Sequence, residues 1–286
     1  MTARILDGLK IRDEIFTELK EEVRQLIAAG LRPGLAAVLV GENPASQLYV
    51  KSKIAACEQI GIASWLLTPP ATITTQELLA VVDGLNRDNN VDGILVQLPL
   101  PVQVDSKRIL EAVDPAKDVD GFHPVNLGRL VSGRPGLVAC TPAGCMEILR
   151  RSNIAIEGAN AVVLGRSDIV GKPMALLLMH ANATVTICHS RTASLRDEVG
   201  RADILVVAIG KVGLVRGEWV KPGAVVIDVG VNRLPSGKLS GDVEFDTAKN
   251  RASAITPVPG GVGPMTICML LYNTLKAAKD SLQRDH

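Results

Sequence analysis

Apolar positions recur every three or four residues across 7–29, at Ile11, Ile15, Leu19, Val23 and Leu26, and the run closes at Gly30. That spacing predicts an amphipathic helix with a glycine stop. LAAVLVG (35–41) breaks the period by being apolar throughout, which predicts a strand buried on both faces. A second helix is predicted next, with Asn43 as cap and Pro44 in the first turn, running through SQLYVKSKIAACEQI to Gly61. WLLTPP (65–70), a helix over about 75–87 and GILVQLPLP (93–101) continue the alternation. Residues 102–140, rich in Asp, Pro and Gly, predict loops around short elements.

A fresh helix is predicted at TPAGCMEILRR, with Thr141 as cap and Pro142 in its first turn. Strand and helix then alternate again: ANAVVLG (159–165), a helix from about Gly171, ATVTIC (183–188), a helix near 194–201, DILVVAIG (203–210) and AVVIDVG (224–230). Strands this apolar belong to parallel sheets covered on both faces, and the second set has the rhythm of a doubly wound, Rossmann-like nucleotide-binding sheet. The predicted fold class is α/β, with two α/β domains. MTICMLLYNTLKAAKD predicts a closing helix whose pattern suits packing on either domain.

Composition narrows the function. With 286 residues, 47% of them hydrophobic, and a mean hydropathy of +0.23, the chain can build two cores. Its 31 basic and 30 acidic residues give a net charge of +1, which offers no field for nucleic acid or an acidic membrane. Aromatic residues make up only 2%, which leaves few platforms for base stacking. No apolar run approaches a membrane span, and the start MTARILDGLKIRDEIF is charged where a secretory signal is apolar. Cysteines 57, 140, 145, 188 and 268 show no CxxC spacing and no histidine at metal spacing. They predict small buried thiols of a reducing compartment, and no metal. The expectation is a soluble cytoplasmic protein without nucleic-acid or membrane partners.

Two stretches carry candidate chemistry. Tyr49 and Lys53 lie four residues apart on a predicted helix, close enough for phenol and ammonium to address one ligand. Alone, the pair reads equally well as a polar stripe. GRSDIVGKP (165–173) follows a strand and opens a helix, as a phosphate-binding turn does. A Walker A loop needs four residues between its glycines, then Lys and Ser or Thr. Here five residues separate Gly165 from Gly171 and Pro173 follows Lys172, so magnesium would lack its hydroxyl ligand. The Rossmann fingerprint fits in part: Gly165 holds its first position, Ser167 stands where the middle glycine belongs, and Gly171 lies one residue beyond the place of the last. The second strand ends TICHSRT, without the carboxylate that binds the ribose hydroxyls of NAD. Ser190 and Arg191 stand there instead, and Arg166 lies in the turn. A guanidinium holds a 2′-phosphate that an acid would repel, so NADP is the predicted cofactor. His189, without a carboxylate partner, is expected to be structural or peripheral.

Together YVKSK (49–53), VQLPLP (96–101), KDVDGF (117–122), GRSDIVG (165–171) and PVPGGVGPMT (257–266) closely resemble the bifunctional methylenetetrahydrofolate dehydrogenase/methenyltetrahydrofolate cyclohydrolase family. The likeness runs in order from about residue 5 to 280. Short-chain dehydrogenases also use Tyr-x-x-x-Lys, but beyond their Rossmann turn in sequence, whereas here the pair precedes it. The resemblance implies a folate-binding catalytic domain over 1–139 plus 267–286, an NADP-binding Rossmann domain over 140–266, a cleft between them, and a homodimer. It places the catalytic lysine at Lys53, with Lys51 off the active face, and adds Tyr49, Gln97 and Asp120. Ser46 lies one turn before Tyr49 on the same side. Cofactor contacts fall on Gly165, Arg166, Ser167, Ser190 and Val231, to which the charge argument adds Arg191. Pro259 and Gly260 are expected at the substrate, the glycine letting the chain approach a flat ligand and the proline stiffening it.

The implied chemistry suits these residue types. Hydride leaves the methylene bridge of tetrahydrofolate for NADP with the folate nitrogens supplying the electron push, so the protein needs only to place the partners. Hydrolysis of the resulting methenyl cation to formyltetrahydrofolate needs a proton acceptor, and a lysine beside a cationic ligand gives up its proton more readily. Gln97 would orient that amine or steady the water, Asp120 would accept from the amino side of the pterin, and Tyr49 would stack on the aminobenzoyl part. Two other functions share the outline. A shikimate dehydrogenase-like enzyme would want its own catalytic Lys-Asp pair. A non-catalytic NADP sensor would have no use for Lys53 and Gln97.

Overall fold

The computed structural model describes residues 2–282. In chain order its elements are β1 (Arg4–Ile5), α1 (Gly8–Ala28), β2 (Gly34–Val38), α2 (Pro44–Ile60), β3 (Ala63–Leu67), α3 (Thr75–Arg87), β4 (Gly93–Val96), α4 (Ser106–Ala112) and α5 (Pro124–Val131). They continue with α6 (Cys140–Arg151), β5 (Asn160–Leu164), α7 (Gly171–His180), β6 (Thr184–Cys188), α8 (Leu195–Arg201), β7 (Ile204–Val207) and β8 (Val225–Asp228). A short hairpin, β9 (Asn232–Arg233) and β10 (Leu239–Ser240), is followed by α9 (Phe245–Ala248), β11 (Ala254–Ile255) and α10 (Val262–Leu282). The chain divides into two compact units, Ile15–Cys140 with the segment from Met269 on, and the residues up to Glu14 with Thr141–Cys268.

The first unit is built on a three-stranded parallel sheet in the order β3-β2-β4. All five residues of β2, GLAAV, are buried, as an unbroken apolar run in a covered sheet requires. Val38, Leu78, Val82, Ile94 and Ile109 share its core. Helix α3 starts where Thr74 and Glu77 form a reciprocal capping box. Strand β4 is shorter than the expected 93–101. The Gln97 N–H still donates to the Val38 carbonyl at 2.9 Å, but Pro99 and Pro101 have no N–H to extend the ladder.

The second unit holds six parallel strands in the order β1-β11-β8-β7-β5-β6. From β5 the chain winds outward to β6 and then returns to add β7 and β8 on the other side. This reversal puts the topological switch, where ligands bind in such sheets, between the carboxyl ends of β5 and β7. Its core includes Val162, Leu164, Leu205, Val207, Val226 and Ile255.

The N-terminus departs from the expected 1–139 grouping. Strand β1 pairs in parallel with β11, and buried Ala3 packs into the Rossmann core, so residues up to Glu14 go with the second unit. Two-residue strands are too short to show a period, which hid both β1 and β11 from sequence reading. Helix α6 begins at Cys140, so Thr141 lies within it; its hydroxyl bonds that of Thr266 at 3.0 Å. No helix among the described residues is long and apolar enough to cross a membrane.

Candidate active site

Helix α2 presents one polar face. Asn43 caps it by accepting from the Ser46 N–H at 3.1 Å, and Pro44 occupies the first turn. Ser46 is 8% exposed, Tyr49 half-buried and Lys53 4% exposed, whereas Lys51 points to solvent. The Lys53 Nζ donates to Gln97 Oε1 at 3.2 Å and sits 4.6 Å from the centre of the Tyr49 ring. Gln97 stands just past β4, and its own amide donates to the Leu98 carbonyl at 2.8 Å, so its carbonyl oxygen is turned to the lysine. The phenol ring and the amide oxygen thus hold the ammonium, a cation–π contact on one side and a hydrogen bond on the other.

The acids of KDVDG divide their work. Asp118 is buried and accepts from the N–H groups of Phe122 (3.2 Å) and His123 (2.8 Å) and from the Asn126 amide (2.9 Å), which folds the turn. Among the described residues no donor is bonded to the Asp120 carboxyl. Burial pushes that carboxyl up to about 6, with the Lys53 ammonium pulling it down and the Asp118 carboxylate pushing it up. Tyr49, Lys53, Gln97 and Asp120 therefore meet within one unit. Asn273 of α10, which sequence reading passed over, braces the same turn by donating to the carbonyls of Val119 and Val138, each at 2.8 Å. Its signal was an amide in the middle of an apolar helix. All five cysteines are buried, and none is in a disulfide. Cys140, beside Asp120, donates to the Val119 carbonyl at 3.2 Å, and burial drives its thiol well above the usual range, so it is a packing group and no nucleophile.

The Rossmann unit gathers the other candidates. Gly165 has φ +125°, and a side chain there would overlap the Ala208 carbonyl; one on Gly171 would overlap the Gly165 carbonyl. Both glycines are needed for the turn to close. Ser167, at the missing middle glycine, accepts with its hydroxyl from the N–H groups of Val170 (3.2 Å) and Gly171 (3.3 Å). Leu164 and Cys188 are direct partners in adjacent strands, so exposed Arg166 and exposed Ser190 and Arg191 leave neighbouring strand ends. His189 is structural, as expected: its Nδ1 accepts from the Arg191 N–H at 3.1 Å and orders that turn. These groups fit NADP, with a tight glycine turn for the diphosphate and cations at the ribose end. Val231, Pro259 and Gly260 line one largely apolar cavity of about 330 Å³ with Leu9, Leu239 and Val262. The residues expected at cofactor and at substrate are thus side by side there.

Comparison with known proteins shows the family of the chain. The family model described as tetrahydrofolate dehydrogenase/cyclohydrolase, catalytic domain, matches residues 6–120, and the corresponding NAD(P)-binding domain matches 139–282. A bifunctional protein FolD from Koribacter versatilis is 59% identical, with 98% of each chain covered. The crystal structure of the bifunctional FolD methylenetetrahydrofolate dehydrogenase/cyclohydrolase from Campylobacter jejuni is 50% identical, with a TM-score of 0.96 over 98% of this chain and 99% of that one. The Trypanosoma brucei enzyme, solved in complex with NADP cofactor and an inhibitor, is 44% identical, with a TM-score of 0.94 and 99% of each chain covered.

Proposed function

This chain belongs to the tetrahydrofolate dehydrogenase/cyclohydrolase family, and on that premise we propose how its residues divide the work of the two reactions. The protein is an NADP-dependent methylenetetrahydrofolate dehydrogenase and methenyltetrahydrofolate cyclohydrolase. Bound NADP supplies the hydride acceptor for the first reaction. Gly165, Arg166, Ser167, Ser190, Arg191 and Val231 bind and orient it, the arginines selecting the 2′-phosphate. Ser46, Tyr49, Gln97, Asp120, Pro259 and Gly260 bind folate, with Tyr49 stacking and Asp120 accepting from the pterin. Lys53, oriented by Gln97, takes the proton when water adds to the methenyl carbon. The observation that carries this reading is the buried Lys53 ammonium, bonded to Gln97 and near enough to Asp120 to pull on its charge. Supplying methylenetetrahydrofolate and NADP tests it: NADPH and formyltetrahydrofolate should appear together, and active substrate that yields no NADPH would overturn it. Residues 1–139 with 267–286 form the folate-binding domain of this reading and residues 140–266 the NADP-binding domain, the segment up to Glu14 packing with the latter. A homodimer is proposed on the family's habit and a cytoplasmic location on the five buried thiols.

The raised Asp120 carboxyl has a consequence for binding. An acid with its pKa at about 6 is ionised above that pH and neutral below it. Accepting pterin hydrogen bonds requires the ionised form, so the folate KM should rise as pH falls below about 6, approaching tenfold per pH unit. Asp120→Asn should bind more weakly at neutral pH and lose that slope. A wild-type KM that is flat from pH 7 to about 5 would remove Asp120 from the pterin site.

A further inference from the structure

The mechanism leaves unused the two most buried carboxylates of the described residues, Asp228 and Asp242, which are 4% and 0% exposed. Asp242 lies just past β10. Its Oδ2 accepts from the N–H groups of Ile209 (2.7 Å) and Gly210 (2.8 Å), and its Oδ1 from the Lys211 N–H (2.8 Å) and the Asn232 side-chain amide (2.9 Å). Asp228, closing β8, accepts from the N–H groups of Gly230 (3.1 Å), Asp242 (3.0 Å) and Val243 (2.9 Å). Four donors converge on Asp242, and only a carboxylate has the lone pairs to take them all. Burial pushes the Asp228 carboxyl up to about 6, with a smaller upward push from the Asp242 carboxylate and the backbone bonds of Val243, Asp242 and Gly230 pulling it down.

The donors are not scattered. Residues 209–211 leave the carboxyl end of β7 and residues 230–232 leave that of β8. These loops flank Gly165, which packs on the Ala208 carbonyl, and Val231, which lines the apolar cavity. A side chain on Gly230 would overlap the Asp242 carboxyl, so the loop closes directly onto it. We propose that Asp242 is a positioning residue for the dehydrogenase reaction alone, holding the loops after β7 and β8 in the shape that receives the nicotinamide dinucleotide. This rests on the function proposed above and adds a residue that acts through backbone and never touches the cofactor.

Asp242→Asn separates this from a general role in stability. The asparagine amide must face two of the four donors, so half of the bonds are lost in either orientation. The NADP Kd, measured by direct titration of the whole protein, should rise about tenfold or more. Hydrolysis of methenyltetrahydrofolate, which consumes no dinucleotide, should stay within about twofold, since its proton acceptor Lys53 is held by Gln97 and Tyr49 and makes no contact with Asp242. Parallel loss of both activities with a lowered melting temperature, or an unchanged NADP Kd, would overturn the proposal. Should Asp242→Asn fail to fold, Asn232→Ala removes one donor and leaves the three backbone bonds. It should weaken NADP binding about threefold or more at an unchanged melting temperature, and an unchanged Kd would again overturn the proposal. A wild-type protein that forms no NADPH would instead sink the assigned function, whatever these variants bind.

Discussion

Lys53→Met should lower the cyclohydrolase kcat by roughly 10²–10⁴-fold, the usual contribution of a positioned general base, while costing the dehydrogenase less than about tenfold. Methionine matches the lysine stem in length and suits a site that leaves only 4% of the residue exposed, so packing against Tyr49 survives and the amine alone is lost. Hydride transfer needs no acid or base from the protein, only placement, and is therefore spared. Measuring methenyltetrahydrofolate hydrolysis and NADPH formation separately checks the split, and equal losses would reduce Lys53 to a folate-positioning group. The substitution also removes the cation that holds the Asp120 carboxyl down, so the acid limb of folate binding should move above about 6 in the variant.

Arg191→Ala should raise the KM for NADP roughly 10- to 100-fold and leave the weaker turnover with NAD unchanged, because the guanidinium addresses only the 2′-phosphate. Arg166 and Arg191 leave adjacent strand ends beyond the Leu164–Cys188 pair, and the His189 ring pins the backbone of Arg191. No carboxylate stands at this strand end to compete for the ribose. Steady-state kinetics with both dinucleotides provide the check. An unaltered NADP KM would make Arg191 an ordinary surface charge.

Much of the architecture was legible because long elements advertise their period. The helix of 7–29, the capped helix at 75–87 and strands β5 and β6 emerge close to their expected bounds, while β4 and β7 end several residues early. Strands β1 and β11, two residues each, have no period to read, and they decide where the N-terminal segment belongs. Within the site, the Tyr49–Lys53 face was readable from helical spacing and its partners Gln97 and Asp120 only from family motifs, since a strand end and a turn carry no chemical signature of their own. The bracing groups were barely readable, Asn273 alone leaving a trace as an amide inside an apolar helix. Asp118, Asp242 and Asn273 act by accepting from or donating to backbone of distant segments, and those contacts exist only once the chain has folded.

The most direct test of the central claim, that the Lys53 amine drives the second reaction and is dispensable for the first, is one progress curve of the Lys53→Met enzyme fed methylenetetrahydrofolate and NADP. NADPH and methenyltetrahydrofolate should rise together, one for one, because the cation forms and is not hydrolysed by the enzyme. NADPH that accumulates with formyltetrahydrofolate at the wild-type rate would contradict the account.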